Sequence, residues 1–328
     1  MTWTGHPSAN NDANGWRSVT YGNNRFVAVG WDGSGRQTAV NCVMTSLDGI
    51  TWTGYPSAND DNQWTSVTYG NNRFVAVASS DDMFRGGAPG TNKLVMTSPD
   101  GITWTGHPSS NDLNGWTSVT YGNNRFVAVA DSVLNVWGAA QDKRVMTSPD
   151  GITWTGHLSA NDANQWASVT YGNNRFVAVA RGPWTLTTNR VMTSPDGITW
   201  TGYPSANDAS GQWTSVTYGN NRFVAVSSHR GTNRVMTSPD GITWTGYPDP
   251  SAAASEWTSV TYGNDRFVAV ARSTYGTNRV MTSPDGITWT LYPSSNDANF
   301  WDSVTYGNNR FVAVAAIGTN RVMTSNAV

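Results

Sequence analysis

The chain has 328 residues, a formal net charge of -2 and only 13% charged residues. That balance leaves no electrostatic footprint for nucleic acid or an anionic membrane, and no apolar run approaches a membrane span. Cys42 is the only cysteine, which excludes an intramolecular disulfide and a cysteine-rich zinc site. Gly, Asn and aromatic residues are plentiful, the profile of a turn-rich all-β protein.

In chain order, Thr2 to Thr4 reads as the tail of a strand, and MTWTGHP shows no secretory signal. Trp16 then opens a run, W-x-S-V-T-Y, that returns at Trp64, Trp116, Trp166, Trp213, Trp257 and Trp301. The spacings are 48, 52, 50, 47, 44 and 44 residues, a period of seven units. Each unit reads as four strands. Strand a spans Trp116 to Tyr121 in the third unit. The turn G-N-N follows, in which Gly and Asn tolerate positive φ. Strand b, R-F-V-A-V-A, spans Arg125 to Ala130, and strand c, R-V-M-T-S, spans Arg144 to Ser148 after a variable segment. P-D-G makes a type I turn with a bulged Gly, and strand d is predicted at Ile152 to Thr155. The chain closes on Arg321 to Ser325, a strand c without its d. The N-terminal fragment is expected to supply it.

Strand b is apolar on both faces, so each sheet must be covered on both sides. Four-stranded units stacked around an axis achieve this. The expected fold is all-β, a seven-bladed β-propeller of four-stranded antiparallel blades, one domain over 1–328 with its ring closed by the N-terminal strand. S-P-D-G-I-T-W, Ser98 to Trp104, resembles the Asp-box (S-x-D-x-G-x-T-W) of bacterial neuraminidase repeats, with one residue fewer between Asp and Gly. The longer pattern around it is similar to repeats of bacterial and phage-encoded propellers. The resemblance implies a propeller with the motif on the hairpin between the third and fourth strands of each blade.

The same resemblance raises a sialidase-like glycoside hydrolase as an alternative. That family needs an arginine triad, an acid/base Asp and a Tyr-Glu pair, and glycosidases generally need two placed carboxylates. Glu256 is the only Glu, and the arginines that open strand b recur in every unit. GxSxG, P-loop and HExxH motifs are absent. His6, His107 and His157 share their position with Tyr55, Tyr203, Tyr247 and Tyr292, and Tyr replaces His poorly on zinc. The expectation is therefore no enzymatic activity, no metal and no cofactor.

The repetition stops in the b–c connections. Six of the seven carry a ring: Trp31, Phe84, Trp137, Trp184, His229 and Tyr275. Arg36, Arg85, Arg181, Arg230 and Arg272 accompany them. Both constant turns belong on one face of the disc and both long connections on the other. The connection after strand d, G-[H/Y]-P-S-[A/S]-N-D, is a second and repeated candidate, with its His or Tyr beside an amide and a carboxylate. The function expected is binding or attachment through the variable loops, lectin-like or phage receptor-binding. The partner is a surface glycan or a surface or virion protein, without nucleic acid or membrane insertion, in an extracellular or virion-associated setting, with the cytoplasm as the alternative. A structural propeller that docks a partner subunit is the other reading.

Overall fold

The computed structural model describes residues 1–9, 14–32, 41–79, 93–133, 143–182, 188–206, 211–229, 231–251, 255–272 and 277–326. Among these there is no α-helix, and there are 28 strands. After β1 (Trp3–His6), the first unit is β2 (Asn14–Gly22), β3 (Arg25–Asp32), β4 (Val43–Ser46) and β5 (Thr53–Tyr55). The second is β6 (Gln63–Gly70), β7 (Arg73–Ser79), β8 (Val95–Ser98) and β9 (Thr105–His107). The third is β10 (Asn114–Gly122), β11 (Arg125–Val133), β12 (Val145–Ser148) and β13 (Thr155–His157). The fourth is β14 (Gln165–Gly172), β15 (Arg175–Arg181), β16 (Val191–Ser194) and β17 (Thr201–Tyr203). The fifth is β18 (Trp213–Gly219), β19 (Arg222–Ser227), β20 (Asn233–Ser238) and β21 (Thr245–Pro248). The sixth is β22 (Glu256–Gly263), β23 (Arg266–Arg272), β24 (Val280–Ser283) and β25 (Thr290–Tyr292). The last is β26 (Phe300–Gly307), β27 (Arg310–Ile317) and β28 (Val322–Ser325).

Each unit is an antiparallel sheet in sequential strand order, a propeller-like arrangement in which 28 strands suggest seven blades. A single bridge between Ser79 and Gly115 joins the second and third units into one sheet. The last unit takes β1 as its outer strand, with Trp3 opposite Ser325 and His6 opposite Val322.

Apolar side chains fill the space between units. Val127, Val129 and Val145 of the third unit pack on Trp166, Phe176, Ala178 and Met192 of the fourth, all fully buried. The same pairing runs from the last unit to the first, where Val312, Val314 and Val322 meet Trp16, Phe26, Ala28 and Met44. This is why strand b shows no polar face in the sequence. Cys42 is buried in the same apolar setting.

Two further devices repeat at every junction. The Ser hydroxyl of one strand a accepts the Val N–H of the next, as from Val119 to Ser66 at 3.1 Å and from Val19 to Ser303 at 3.1 Å. The Gly that ends strand a receives the Tyr ring of the following unit. A Cβ on Gly122 would lie 2.1 Å from Tyr171 Cγ, and one on Gly307 would lie 2.1 Å from Tyr21 Cγ.

The fourth strand departs from expectation. It starts at Thr155 and runs to His157, so Ile152, Thr153 and Trp154 belong to the turn. The cause is Asp150, whose Oδ1 accepts the N–H groups of Ile152 at 2.9 Å and Thr153 at 3.0 Å. Backbone groups held this way cannot join the ladder. Trp154 Nε1 donates to Gly151 O at 3.0 Å, and Gly151 sits at φ +78°. The two constant turns share a face, as shown by Asn173 of one unit donating to Pro239 O of the next at 3.2 Å. Both long connections meet at the other face, where Asn62 Nδ2 donates to Lys93 O at 2.9 Å.

Candidate functional site

Every strand a carries a bulge one residue after its Trp. In β2, Trp16 pairs with Gly30 and Ser18 with Val29, which leaves Arg17 unpaired. The same register shift recurs in the other six units. A bulge re-aims the side chain of its extra residue. Here it turns seven residues toward a cavity of about 460 Å³ at the mouth of the ring, on the face of the long connections. They are Arg17, Thr65, Thr117, Ala167, Thr214, Thr258 and Asp302. The ends of strand b join them, among them Trp31, Asp131, Arg181 and Arg272. Glu256, at the start of β22, completes the charged set.

The four threonines tie neighbouring units together. Thr65 Oγ1 lies 2.6 Å from Trp116 O, and Thr117, Thr214 and Thr258 repeat the link at 2.7, 2.6 and 2.7 Å. Arg17, Ala167 and Asp302 replace a threonine and give up that link. Two of these three replacements are charged, and they face each other across the junction of the last and first units. Arg17 Nη1 is 3.0 Å from Asp302 Oδ2. Arg272 grips both oxygens of Asp302 through Nε and Nη2. The Asp302 side chain is 3% exposed, against 29% for Arg17 and 34% for Arg272. A buried carboxylate between two guanidiniums is costly to desolvate and holds its place through charge-assisted, bidentate bonds. The Arg17 guanidinium also lies 5.3 Å from the centre of the Trp31 ring, in cation–π range.

Arg17 and Arg272 respond differently. Burial lowers the pKa of both, and for Arg272 the two bonds to Asp302 outweigh it and leave a net rise. Arg17 stays lowered, by burial and the like charge of Arg272 against the pull of Asp302. Arg181 is reachable by solvent but lies within the concave wall of the cavity, and its pKa is lowered first by that enclosure and then by Arg272 and Arg17, with Asp131 and Asp302 opposing. Its guanidinium makes no hydrogen bond among the described residues, although its backbone ends β15 opposite Gln165.

The structure thus gathers Trp31, Arg181 and Arg272 of the expected loop residues into one site. His229 lies beside it, half-buried, with its N–H donating to Ser227 Oγ at 3.1 Å. Arg36, Phe84, Arg85, Trp137, Trp184, Arg230 and Tyr275 fall outside the described residues. The repeated His/Tyr set is spread one per unit on the outer strands instead. His6, His107 and His157 share hydrogen bonds with Thr324, Thr97 and Thr147 at 2.9, 2.9 and 3.0 Å. Burial, then nearby cations, lowers all three pKa values. Tyr55, Tyr203, Tyr247 and Tyr292 pack against the apolar clusters. The polar groups of that connection bond internally, as Ser57 Oγ does to Asp60 Oδ1 at 2.7 Å. No group of three or more His, Cys, Asp or Glu among the described residues could hold a metal.

Arg17, Asp131 and Asp302 did not stand out in the sequence. For Arg17 and Asp302 the signal was one column inside a constant motif: read unit by unit, the residue after the Trp is R, T, T, A, T, T and D.

No family model and no curated protein matches the sequence. Solved structures do. Virginiamycin B lyase from Staphylococcus aureus superposes with a TM-score of 0.76 at 12% identity, over 98% of this chain and 98% of that one. YCF48 from Cyanidioschyzon merolae gives 0.66 at 15%, over 99% and 98%. YCF48 bound to D1 peptide gives 0.65 at 14%, over 99% and 94%. At such identities the likeness shows the fold alone, a repeat propeller. It overturns the expectation of no enzymatic activity, because a lyase is among the chains built this way. That expectation rested on a lone Glu, on arginines that recur in every unit and on missing catalytic motifs. The mouth instead gathers an asymmetric charged set, through the bulged column and the strand ends.

Proposed function

We propose that this chain is a seven-bladed propeller domain over 1–328 that takes a segment of a partner protein at the axial mouth of its loop-rich face. One observation carries the reading. The bulged column gives up the threonine link where Arg17 and Asp302 stand, and sets those charges beside Arg272, Arg181 and Trp31. Local rules broken at one place mark function more often than architecture. The mixture of cations, carboxylates and one indole suits a polypeptide, which offers donors, acceptors and apolar groups together. The D1 peptide on YCF48, a chain of the same fold, supports a peptide as the kind of ligand. A surface or virion protein, or an assembly subunit, would present such a segment. The S-P-D-G-I-T-W turn serves as an Asp-box-like clasp in this reading, a structural part and not a site.

The test is a displayed random-peptide library selected on the protein, with a glycan array run in parallel. Selected peptides are expected to lose about tenfold or more in affinity on Trp31→Ala, the scale of one central aromatic contact. The reading falls if the array gives glycan ligands and the library gives none, or if Trp31→Ala leaves peptide binding unchanged.

A further inference from the structure

The hydrogen-bonding capacity of the mouth is lopsided. A guanidinium carries five N–H donors. Arg17 uses one of its donors on Asp302, and Arg272 uses two. Arg181 uses none among the described residues. Of the carboxylates, both oxygens of Asp302 are engaged. Thr65, Thr117, Thr214 and Thr258 donate their hydroxyl protons to carbonyl oxygens of the next unit. Three guanidiniums thus line one cavity, and that of Arg181 makes no hydrogen bond among the described residues, with Asp131 and Asp302 opposing the like charges of Arg272 and Arg17. A ligand group that only accepts, and brings negative charge, suits those donors.

We infer that the mouth holds a carboxylate subsite, in which the Arg181 guanidinium takes an acidic side chain or a chain-terminal carboxylate of the bound segment. Asp302 is the positioning residue: by clamping Arg17 and Arg272 it fixes two further guanidiniums beside the incoming group without a hydrogen bond to Arg181. The planar fork of Arg181 matches the two oxygens of a carboxylate. The inference rests on the mouth being the peptide site proposed above, and adds the chemistry of its anchor.

Three capped peptides test it by ligand-observed NMR with the intact protein. Acetyl-Gly-Glu-Gly-amide carries only a side-chain carboxylate, acetyl-Gly-Gly-Gly only a terminal one, and acetyl-Gly-Gly-Gly-amide neither. One or both acids are expected to bind and the amide not to, and which acid binds identifies the source of the carboxylate. Arg181→Gln is expected to weaken the binding acid by about tenfold or more, the scale of a charge-assisted contact, while Arg181→Lys, a point charge in place of the planar fork, restores only part of it. Arg181 ends a strand and is exposed, so the variants should keep the wild-type melting point. Binding of the amide equal to the acids would overturn the subsite, as would acid binding indifferent to Arg181→Gln. Binding of tetragalacturonate with both acid peptides silent would overturn the peptide source. Library peptides that need Trp31 but not Arg181 would sink the subsite and leave the peptide site standing.

Discussion

At the scale of single residues, two positions carry the architecture. Gly122 must lack a side chain because the Tyr171 ring occupies the place of its Cβ. The ring is rigid and packed, so Gly122→Ala is expected to cost about 1–3 kcal/mol, the range for overpacking, measured by denaturant unfolding. Asp150 is the second. Burial pushes its carboxyl up, but the N–H groups of Ile152 and Thr153 and the Ser148 hydroxyl outweigh it and hold the pKa below the usual range. Asp48, Asp100, Asp196, Asp240 and Asp285 are lowered in the same way. A depressed folded-state pKa stabilises above the unfolded value of about 3.9 and is lost as pH falls through the folded value. Stability is therefore expected to fall below about pH 4, and Asp150→Ala should shrink the difference in melting point between neutral and acid solution. A difference equal to that of the wild type would contradict the assignment.

At the scale of elements, the sequence was most legible where packing is symmetric. W-x-S-V-T-Y and R-F-V-A-V announced two inner strands because Trp, Phe and Val recur wherever units press together. Strand d was misplaced because Ile152 and Trp154 alternate like a strand, while one carboxylate captures the N–H groups of Ile152 and Thr153. Periodicity reads side chains and is blind to a side chain that competes for N–H groups. The site was legible only in part. Trp31, Arg181 and Arg272 stood in visibly divergent stretches, whereas Arg17 and Asp302 sat inside the most constant motif and were passed over as part of it. β1 makes a prediction of its own. It covers the edge of β28, with His6 Nε2 2.9 Å from Thr324 Oγ1 and Asn326 Nδ2 2.6 Å from Thr2 Oγ1. Removing residues 1–6 is expected to lower the melting point by several degrees and to promote self-association through the bared strand, read by light scattering. A truncated chain that melts and scatters like the intact one would show that β28 needs no cover.

At the scale of the molecule, sameness and difference occupy separate places. Constant turns lie on one face and the charged mouth on the other, so ligand chemistry can change without disturbing the glycine–tyrosine and serine–valine contacts between units. Those seams have a consequence for how the chain reaches its native state. Each offers the same glycine to the same tyrosine and the same serine to the same valine, so apart from the Arg17–Asp302–Arg272 cluster and the Ser79–Gly115 bridge the seams carry no address. A unit emerging from the unfolded chain meets several chemically equivalent neighbours and can dock on the wrong one, a trap typical of repetitive sequences. At the other junctions only the covalent order of the connections sorts right from wrong. Refolding should therefore be slowed by rearrangement of misassembled forms, more so than in a ring whose junctions differ.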